Sequence, residues 1–194
     1  MTQPIGVILA GGLARRMGGG DKALLDIGGQ SILSRVIARI EPQVSDLAIN
    51  ANGDASRFAD YGLPVIADTA QDFPGPLAGI LAGMDWGQAL GAEYVLTVAA
   101  DTPFFPTDIG QRLQDMRGEL PIAIAATADG RHPTFGLWPT ALAEDLRTAL
   151  DDGVRKVVAW ADSHGAATVP FNDETAFFNV NTPEDLAHAE THLI

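Results

Sequence analysis

Thirteen residues after the first apolar run, Ala10-Gly11-Gly12-Leu13-Ala14-Arg15-Arg16-Met17-Gly18-Gly19-Gly20-Asp21-Lys22, combine five glycines with two arginines and a lysine. Glycine lets backbone N–H groups approach an anion closely and reach positive φ. Arginine then grips phosphate oxygens as a bidentate fork, and lysine as a point charge. Such a set is suited to holding a phosphate chain. Two common spellings of that chemistry do not fit. A Walker A loop ends in G-K-[ST], whereas Gly20-Asp21-Lys22-Ala23 breaks the order and offers no hydroxyl for a metal. A dinucleotide fingerprint needs G-x-G-x-x-G and an acid closing the second strand, but that strand closes here in Asn50-Ala51-Asn52. A solvated glycine-rich turn is the weaker reading of so many glycines and cations in this place.

Four further sets of residues could serve such a loop. Asp101, in Ala99-Ala100-Asp101-Thr102-Pro103-Phe104, ends an apolar run, where a carboxylate can hold Mg²⁺ that bridges triphosphate oxygens. Spelling alone leaves that role level with a turn or helix-cap aspartate. Asn50 and Asp68 each close an apolar run and can accept hydrogen bonds from a guanine N1–H and N2–H₂ edge. A ribose hydroxyl suits them equally, and ordinary turn chemistry is the bland alternative. Pro74-Gly75-Pro76-Leu77-Ala78-Gly79 ends a loop and starts a helix whose N-terminus could face an anion, with a plain helix entrance as the competing account. In Phe178-Asn179-Val180-Asn181-Thr182-Pro183-Glu184-Asp185-Leu186, Thr182 reads as an N-cap with Asp185 three residues on, while Asn181 and, more weakly, Asn179 are candidates to touch a second substrate, or for Asn181 a metal-bound water. His132, in Arg131-His132-Pro133-Thr134, reads as structural. The other histidines have no metal-ligand spacing, and no G-x-S-x-G elbow occurs.

The elements that must position these residues alternate in type. Ile5–Leu9, Leu47–Asn50, Val65–Ala67 and Tyr94–Ala99 are short, nearly continuous apolar runs, the pattern of buried parallel strands. Between them Ser31–Ile40, Asp54–Tyr61 and Pro76–Leu90 have helical period or start signals. Ile122–Ala126 and Pro133–Leu137 around Asp129-Gly130 predict one antiparallel pair. Ala141–Leu150, Val154–Ala161 and Pro183–His192 predict helices, and Ala167–Phe171 a last strand. The expectation is an α/β fold: a three-layer αβα, Rossmann-like domain over residues 1–194, its sheet mainly parallel with an antiparallel addition. Ligands of such sheets bind beyond the strands' carboxyl ends, where the first loop would lie.

Composition narrows the partners. The 194 residues are 46% hydrophobic, contain no cysteine, and carry 12 Lys+Arg against 25 Asp+Glu for a formal charge of −13. Thiolate chemistry is excluded, and so acidic a chain is poorly suited to nucleic acid or an anionic membrane. Four of the basic residues, Arg15, Arg16, Lys22 and Arg35, nevertheless fall within the first 35, so a local phosphate site is compatible with the overall charge. No cation precedes the apolar start and no run approaches a membrane span, which predicts a cytoplasmic protein.

With these residues in view, L-A-G-G-x-x-x-R-M-G-x-x-D-K resembles the signature loop of the nucleotidyltransferases that build the molybdenum cofactor, above all its guanylyltransferase family. P-G-P-L-A-G, A-A-D-T-P-F and N-V-N-T-P-E-D-L resemble further motifs of that family in the same order, so the likeness runs from Gly6 to about Leu186. It implies a nucleotidyltransferase domain transferring GMP from GTP to the terminal phosphate of molybdenum-bearing molybdopterin, with release of pyrophosphate. It implies GTP contacts at Leu9, Ala10, Gly11, Gly12, Lys22, Asn50, Asp68 and Asp101, with Gly19 also facing the phosphates. Catalytic roles would fall to Arg16, Lys22 and Asp101, with Mg²⁺ on Asp101 and the second substrate near Asn179 and Asn181. Transient contacts with molybdenum-insertion proteins and with apo-molybdoenzymes or their chaperones fit the transfer of a labile product. The alternatives are a cytidylyltransferase making the cytosine dinucleotide, a sugar- or alcohol-phosphate nucleotidyltransferase, and a non-catalytic GTP-binding cofactor chaperone. The Gly11-Gly12 pair and the Asp101-Thr102-Pro103 spelling favour guanine.

Overall fold

The computed structural model describes residues 3–11, 22–69 and 75–191. Its frame is a seven-stranded sheet. β1 (Ile5–Leu9), β4 (Leu47–Asn50), β5 (Val65–Ile66) and β6 (Tyr94–Ala99) run parallel to one another. β8 (Gly130–Pro139) is antiparallel to both β6 and β7 (Ile122–Thr127), and β9 (Ala166–Pro170) returns parallel to β7. The spatial order is β5-β4-β1-β6-β8-β7-β9, so one reversed strand interrupts an otherwise parallel sheet. This is the α/β arrangement expected, antiparallel addition included.

Side chains alternate across the pleat, and both faces are buried. Along β7, Ala123 and Ala125 enter one apolar cluster while Ile122 and Ile124 enter the other. The first cluster is covered by α1 (Ile32–Ile40), α3 (Ile109–Met116) and α6 (Pro183–Thr191), and the second by α2 (Pro76–Leu90), α4 (Ala143–Asp151) and α5 (Val157–Ser163). The one fully buried polar side chain within β6, Thr97, accepts from Trp138 Nε1 at 2.8 Å, so its hydroxyl is not stranded in the core.

The local signals act as anticipated at several ends. Ser31 caps α1, accepting from Ser34 N at 3.0 Å, and Pro76 opens α2 at its first turn. Thr182 and Asp185 form a reciprocal capping box: Asp185 N donates to Thr182 Oγ1 at 3.1 Å, and the Asn181 and Thr182 amides donate to Asp185 Oδ2 at 2.9 Å. Residues Ala55–Tyr61, expected as a helix, form a 3₁₀ helix capped by Asp54. Two elements lie outside the sequence reading. One is α3; the other is a small hairpin of β2 (Asp26–Ile27) and β3 (Gln30–Ser31), turned by Gly28 and Gly29 at φ 59° and 86°.

Helix α2 is buried nearly all round, and Gly79, Gly83 and Gly87 lie one above another on the side that meets the sheet. A Cβ at Gly83 would stand 3.1 Å from Val7 Cγ2, and one at Gly87 would stand 2.8 Å from Thr140 Cγ2. Glycine here sets how closely the helix approaches the strands.

Candidate functional site

The carboxyl ends of β5, β4, β1 and β6 lie side by side, and the candidate residues fall along that edge. Leu9 closes β1 and is half-buried; Ala10 follows it, its amide bonded to Asn50 O at 2.8 Å, and Gly11 is exposed. Gly12, Arg16 and Gly19 lie outside the described residues. Lys22, in the 3₁₀ turn Lys22–Leu24, is half-buried.

At one end of the edge stand the groups around Asp101. Its main-chain oxygen accepts from Val180 N at 2.8 Å, which docks the Asn179–Asn181 segment against the end of β6. Thr102, fully buried, donates its hydroxyl to Asn179 Oδ1 at 2.6 Å and lies 3.3 Å from Asp101 Oδ1. A hydroxyl has a single proton, so the short bond to Asn179 dominates and the carboxylate keeps acceptor capacity. Lys22 Nζ donates to Asn181 Oδ1 at 2.8 Å. Burial pushes the Asp101 carboxyl above its ordinary value, opposed by the Thr102 hydroxyl and the charge of Lys22. Lys22, Asp101, Asn179 and Asn181, distant in the chain, thus meet in one cluster.

At the other end stands Asp68, just beyond β5. Asn50 Nδ2 donates to Asp68 Oδ1 at 2.9 Å and to Ile66 O at 3.2 Å. Asn50 itself is 2% exposed, and its side-chain N–H₂ is committed to these two protein acceptors. Asn52 Nδ2 donates to Asp68 Oδ2 at 2.8 Å, and its own Oδ1 accepts from Asp68 N at 2.9 Å. Gly79, in the first turn of α2, covers this pair: a Cβ there would lie 2.3 Å from Asn50 Oδ1 and 2.9 Å from Leu9 Cδ2. The helix-entrance motif therefore has a definite task, which is to let α2 close over Asn50. Pro74 of that motif lies outside the described residues.

His132 opens β8, on the same edge because that strand runs backwards. Its ring stacks on Phe177 with centroids 4.3 Å apart and planes 5° from parallel, and Nε2 pairs with Thr127 Oγ1 at 2.9 Å. Burial holds its imidazole below the ordinary value, with Asp129 opposing. Phe177, on which it stacks, belongs to the 3₁₀ turn Thr175–Phe177 that leads into Asn179. Thr102, Asn52 and Gly79 are the residues whose parts went unrecognised in the sequence. Asn52 had a signal, the polar pair Asn50-x-Asn52 at a strand end; Thr102 had none beyond its place after Asp101.

The donor set around Asp101 is all oxygen: one carboxylate, a hydroxyl and two amide side chains. No group of three or more His, Cys, Asp or Glu residues suited to a metal occurs among the described residues. Mg²⁺ often takes one or two carboxylates, keeps waters and completes its shell with substrate phosphates, so this donor set fits it.

The sequence model of the MobA-like NTP transferase domain matches residues 6–167. A molybdenum cofactor guanylyltransferase of Nitrobacter hamburgensis is 52% identical over 192 residues, covering 95% of this chain and 92% of the relative. One from Rhodopseudomonas palustris is 53% identical over 191 residues, covering 95% and 91%. Among solved structures, the molybdopterin-guanine dinucleotide biosynthesis protein A of Archaeoglobus fulgidus has a TM-score of 0.79 at 23% identity, covering 97% of this chain and 98% of that one, a likeness of fold.

Proposed function

The chain belongs to the MobA-like NTP transferase family, and we propose that it transfers GMP from GTP to the terminal phosphate of molybdenum-loaded molybdopterin, forming the guanine dinucleotide cofactor and pyrophosphate. The observation that carries this reading is the division of the sheet edge into two stations. Asp68 and Asp101 follow strands three steps apart in the sheet, about 14 Å at ~4.8 Å per step. A base at the first station and phosphates at the second are joined by the ribose across β4 and β1.

The reaction forms one P–O bond from the acceptor phosphate to the α-phosphorus of GTP and breaks the bond to the β-phosphate. The acceptor phosphate has a second pKa of about 6, so it is already an anion at neutral pH and needs no strong general base. What the protein supplies is positioning and charge. Lys22 brings a cation to the phosphates and is itself aimed by Asn181. Gly11, exposed beyond β1, leaves room for the phosphate chain, and Gly12 and Arg16, outside the described residues, are assigned to the same phosphates, Arg16 as a second cation. Asp101, with the Thr102 hydroxyl and Asn179 beside it, would hold Mg²⁺. Bound there, the ion would neutralise triphosphate charge and favour departure of pyrophosphate. Asn179 and Asn181 border the side from which the acceptor approaches. Residues 1–194 act as one nucleotidyltransferase domain in this reading.

Guanine fits the first station better than the other bases. A carboxylate only accepts hydrogen bonds, and guanine alone presents two adjacent N–H donors, at N1 and N2. Adenine and cytosine present a donor beside an acceptor, which Asp68 would repel. This favours guanylyl over cytidylyl transfer. No helix among the described residues is long and apolar enough to cross a membrane. A cytoplasmic site for the reaction is part of this proposal and rests on the family rather than on that absence. Transient contacts with molybdenum-insertion proteins or apo-molybdoenzymes would receive the product.

The test is pyrophosphate release with GTP, CTP and ATP, each with molybdenum-loaded molybdopterin, with and without Mg²⁺. GTP should give the highest kcat/KM, and chelation of the metal should abolish turnover. Faster reaction with CTP would overturn the guanylyl assignment. GTP bound without pyrophosphate release would leave only a cofactor-binding role.

A further inference from the structure

We infer that Asn52 is a positioning residue for base selection, fixing the Asp68 carboxylate as a two-point acceptor for the paired N–H donors of guanine. This rests on the guanylyl reading above and extends it to a residue outside the strands and the phosphate loop.

Asn52 is exposed, so packing does not account for its orientation. Its side chain nevertheless closes a ring with Asp68, donating to Oδ2 at 2.8 Å and accepting from the Asp68 amide at 2.9 Å. Arg57 Nη2 secures the Asn52 main-chain oxygen at 2.6 Å. From the buried side, Asn50 holds the other carboxylate oxygen at 2.9 Å.

Two bonds, one to each oxygen, have a consequence that one bond lacks. The terminal torsion of an aspartate is broad and soft, so a carboxylate held at one oxygen still turns about its axis. Held at both, its plane is set before a ligand arrives, and each oxygen keeps a further lone pair to offer. A base presenting two adjacent donors then meets both acceptors without reorganisation. A site built to pair with a ligand donor discriminates strongly against an analogue that lacks it, because the protein group is left unpaired. Hypoxanthine is such an analogue: it keeps the N1–H of guanine and lacks the 2-amino group.

The competing account of the ring is a staple between two loops. Stability and base selectivity tell the two apart. Steady-state kinetics would be measured on the full chain with GTP, ITP and CTP, Mg²⁺ and molybdenum-loaded molybdopterin, alongside thermal unfolding. Wild type should prefer GTP to ITP by about ten- to a hundredfold in kcat/KM, the scale of one hydrogen bond to a charged group. Asn52→Ala should cut that preference by about tenfold through the KM for GTP, with kcat at saturating GTP held within about twofold, since uniform binding is lost and chemistry is not. Asn52→Asp keeps the size but sets a like charge against Asp68, and should weaken GTP more than alanine does.

An unchanged GTP/ITP ratio in Asn52→Ala, with wild type preferring GTP, would overturn the inference and leave the guanylyl reading intact. A lowered thermal midpoint with an unchanged ratio would do the same, marking Asn52 as a staple. A wild type preferring CTP would overturn the guanylyl reading and this inference together.

Discussion

The ammonium of Lys22 donates to the side-chain carbonyl of Asn181 at 2.8 Å, joining segments 159 residues apart in the chain. The far end of the glycine-rich loop is thereby tied to the segment that also carries Asn179 and packs on Asp101. The cation proposed for the phosphates and a candidate acceptor-side residue are therefore set by each other.

Their coupling can be measured. Lys22→Ala should lower kcat by about a hundredfold or more, the scale of removing one preorganised charge stabiliser. Asn181→Ala should cost less, because the ammonium remains but is no longer aimed. The double variant should fall short of the product of the single effects, as expected for residues in direct contact. Strict multiplicativity in a double-mutant cycle would separate the two roles.

Asp101 should show function and stability moving apart. Its carboxyl is raised by burial, so at neutral pH the ionised form carries a desolvation cost in the folded protein. The folded state then binds the proton more tightly than the unfolded chain, and stability falls as pH rises through the range between the two values. Asp101→Asn removes that charge. Its thermal midpoint at pH 7.5 should match or exceed that of wild type, while turnover drops by about a hundredfold or more. A variant that is both unstable and inactive would mean that Asp101 serves mainly to hold the fold.

Gly79→Ala tests the approach of α2 to the strand ends. The added Cβ would stand 2.3 Å from Asn50 Oδ1, so either the helix or the amide must move. The expected cost is about 1–3 kcal/mol of unfolding free energy, typical of overpacking. Because Asn50 holds Asp68, the KM for GTP should rise with it. Urea unfolding and steady-state kinetics would check both; an alanine variant with wild-type KM would show that Asp68 does not depend on Asn50.

His132 predicts a pH dependence of stability. Its imidazole is held below the ordinary value of about 6.5, so below that pH the unfolded chain binds the proton more readily. The stabilisation from neutral His132 is full above about pH 6.5 and is lost as pH falls toward the folded value. The stability difference between wild type and His132→Gln should therefore shrink on acidification from pH 7.5 to 5. A difference constant across that range would assign its contribution to ring stacking on Phe177 alone.

Much of the frame could be read from residue order. Ile5–Leu9, Leu47–Asn50 and Tyr94–Ala99 are strands with the expected bounds, because strands buried on both faces demand unbroken apolar runs. Pro76–Leu90 is likewise the expected helix, bounded by a proline and a glycine with fixed backbone preferences. The hairpin at Gly28-Gly29 and helix α3 were not legible: two-residue strands have no period to detect, and α3 has only Ile109, Gly110 and Leu113 buried.

The chemistry divides in the same way. Sequence determined which residue types were available, namely a glycine-rich loop with cations, an acid after β6 and polar groups after β4 and β5, because those follow from local spelling. Tertiary structure decided what each one faces. Parallel strand order puts Asp68, Asn50, Ala10 and Asp101 along a single edge, and the closing segment brings Asn179 and Asn181 to Asp101. It also turned Asn50 inward and made Asn52 its counterpart on Asp68, since hydrogen-bond partners depend on strand register and helix approach rather than on distance along the chain.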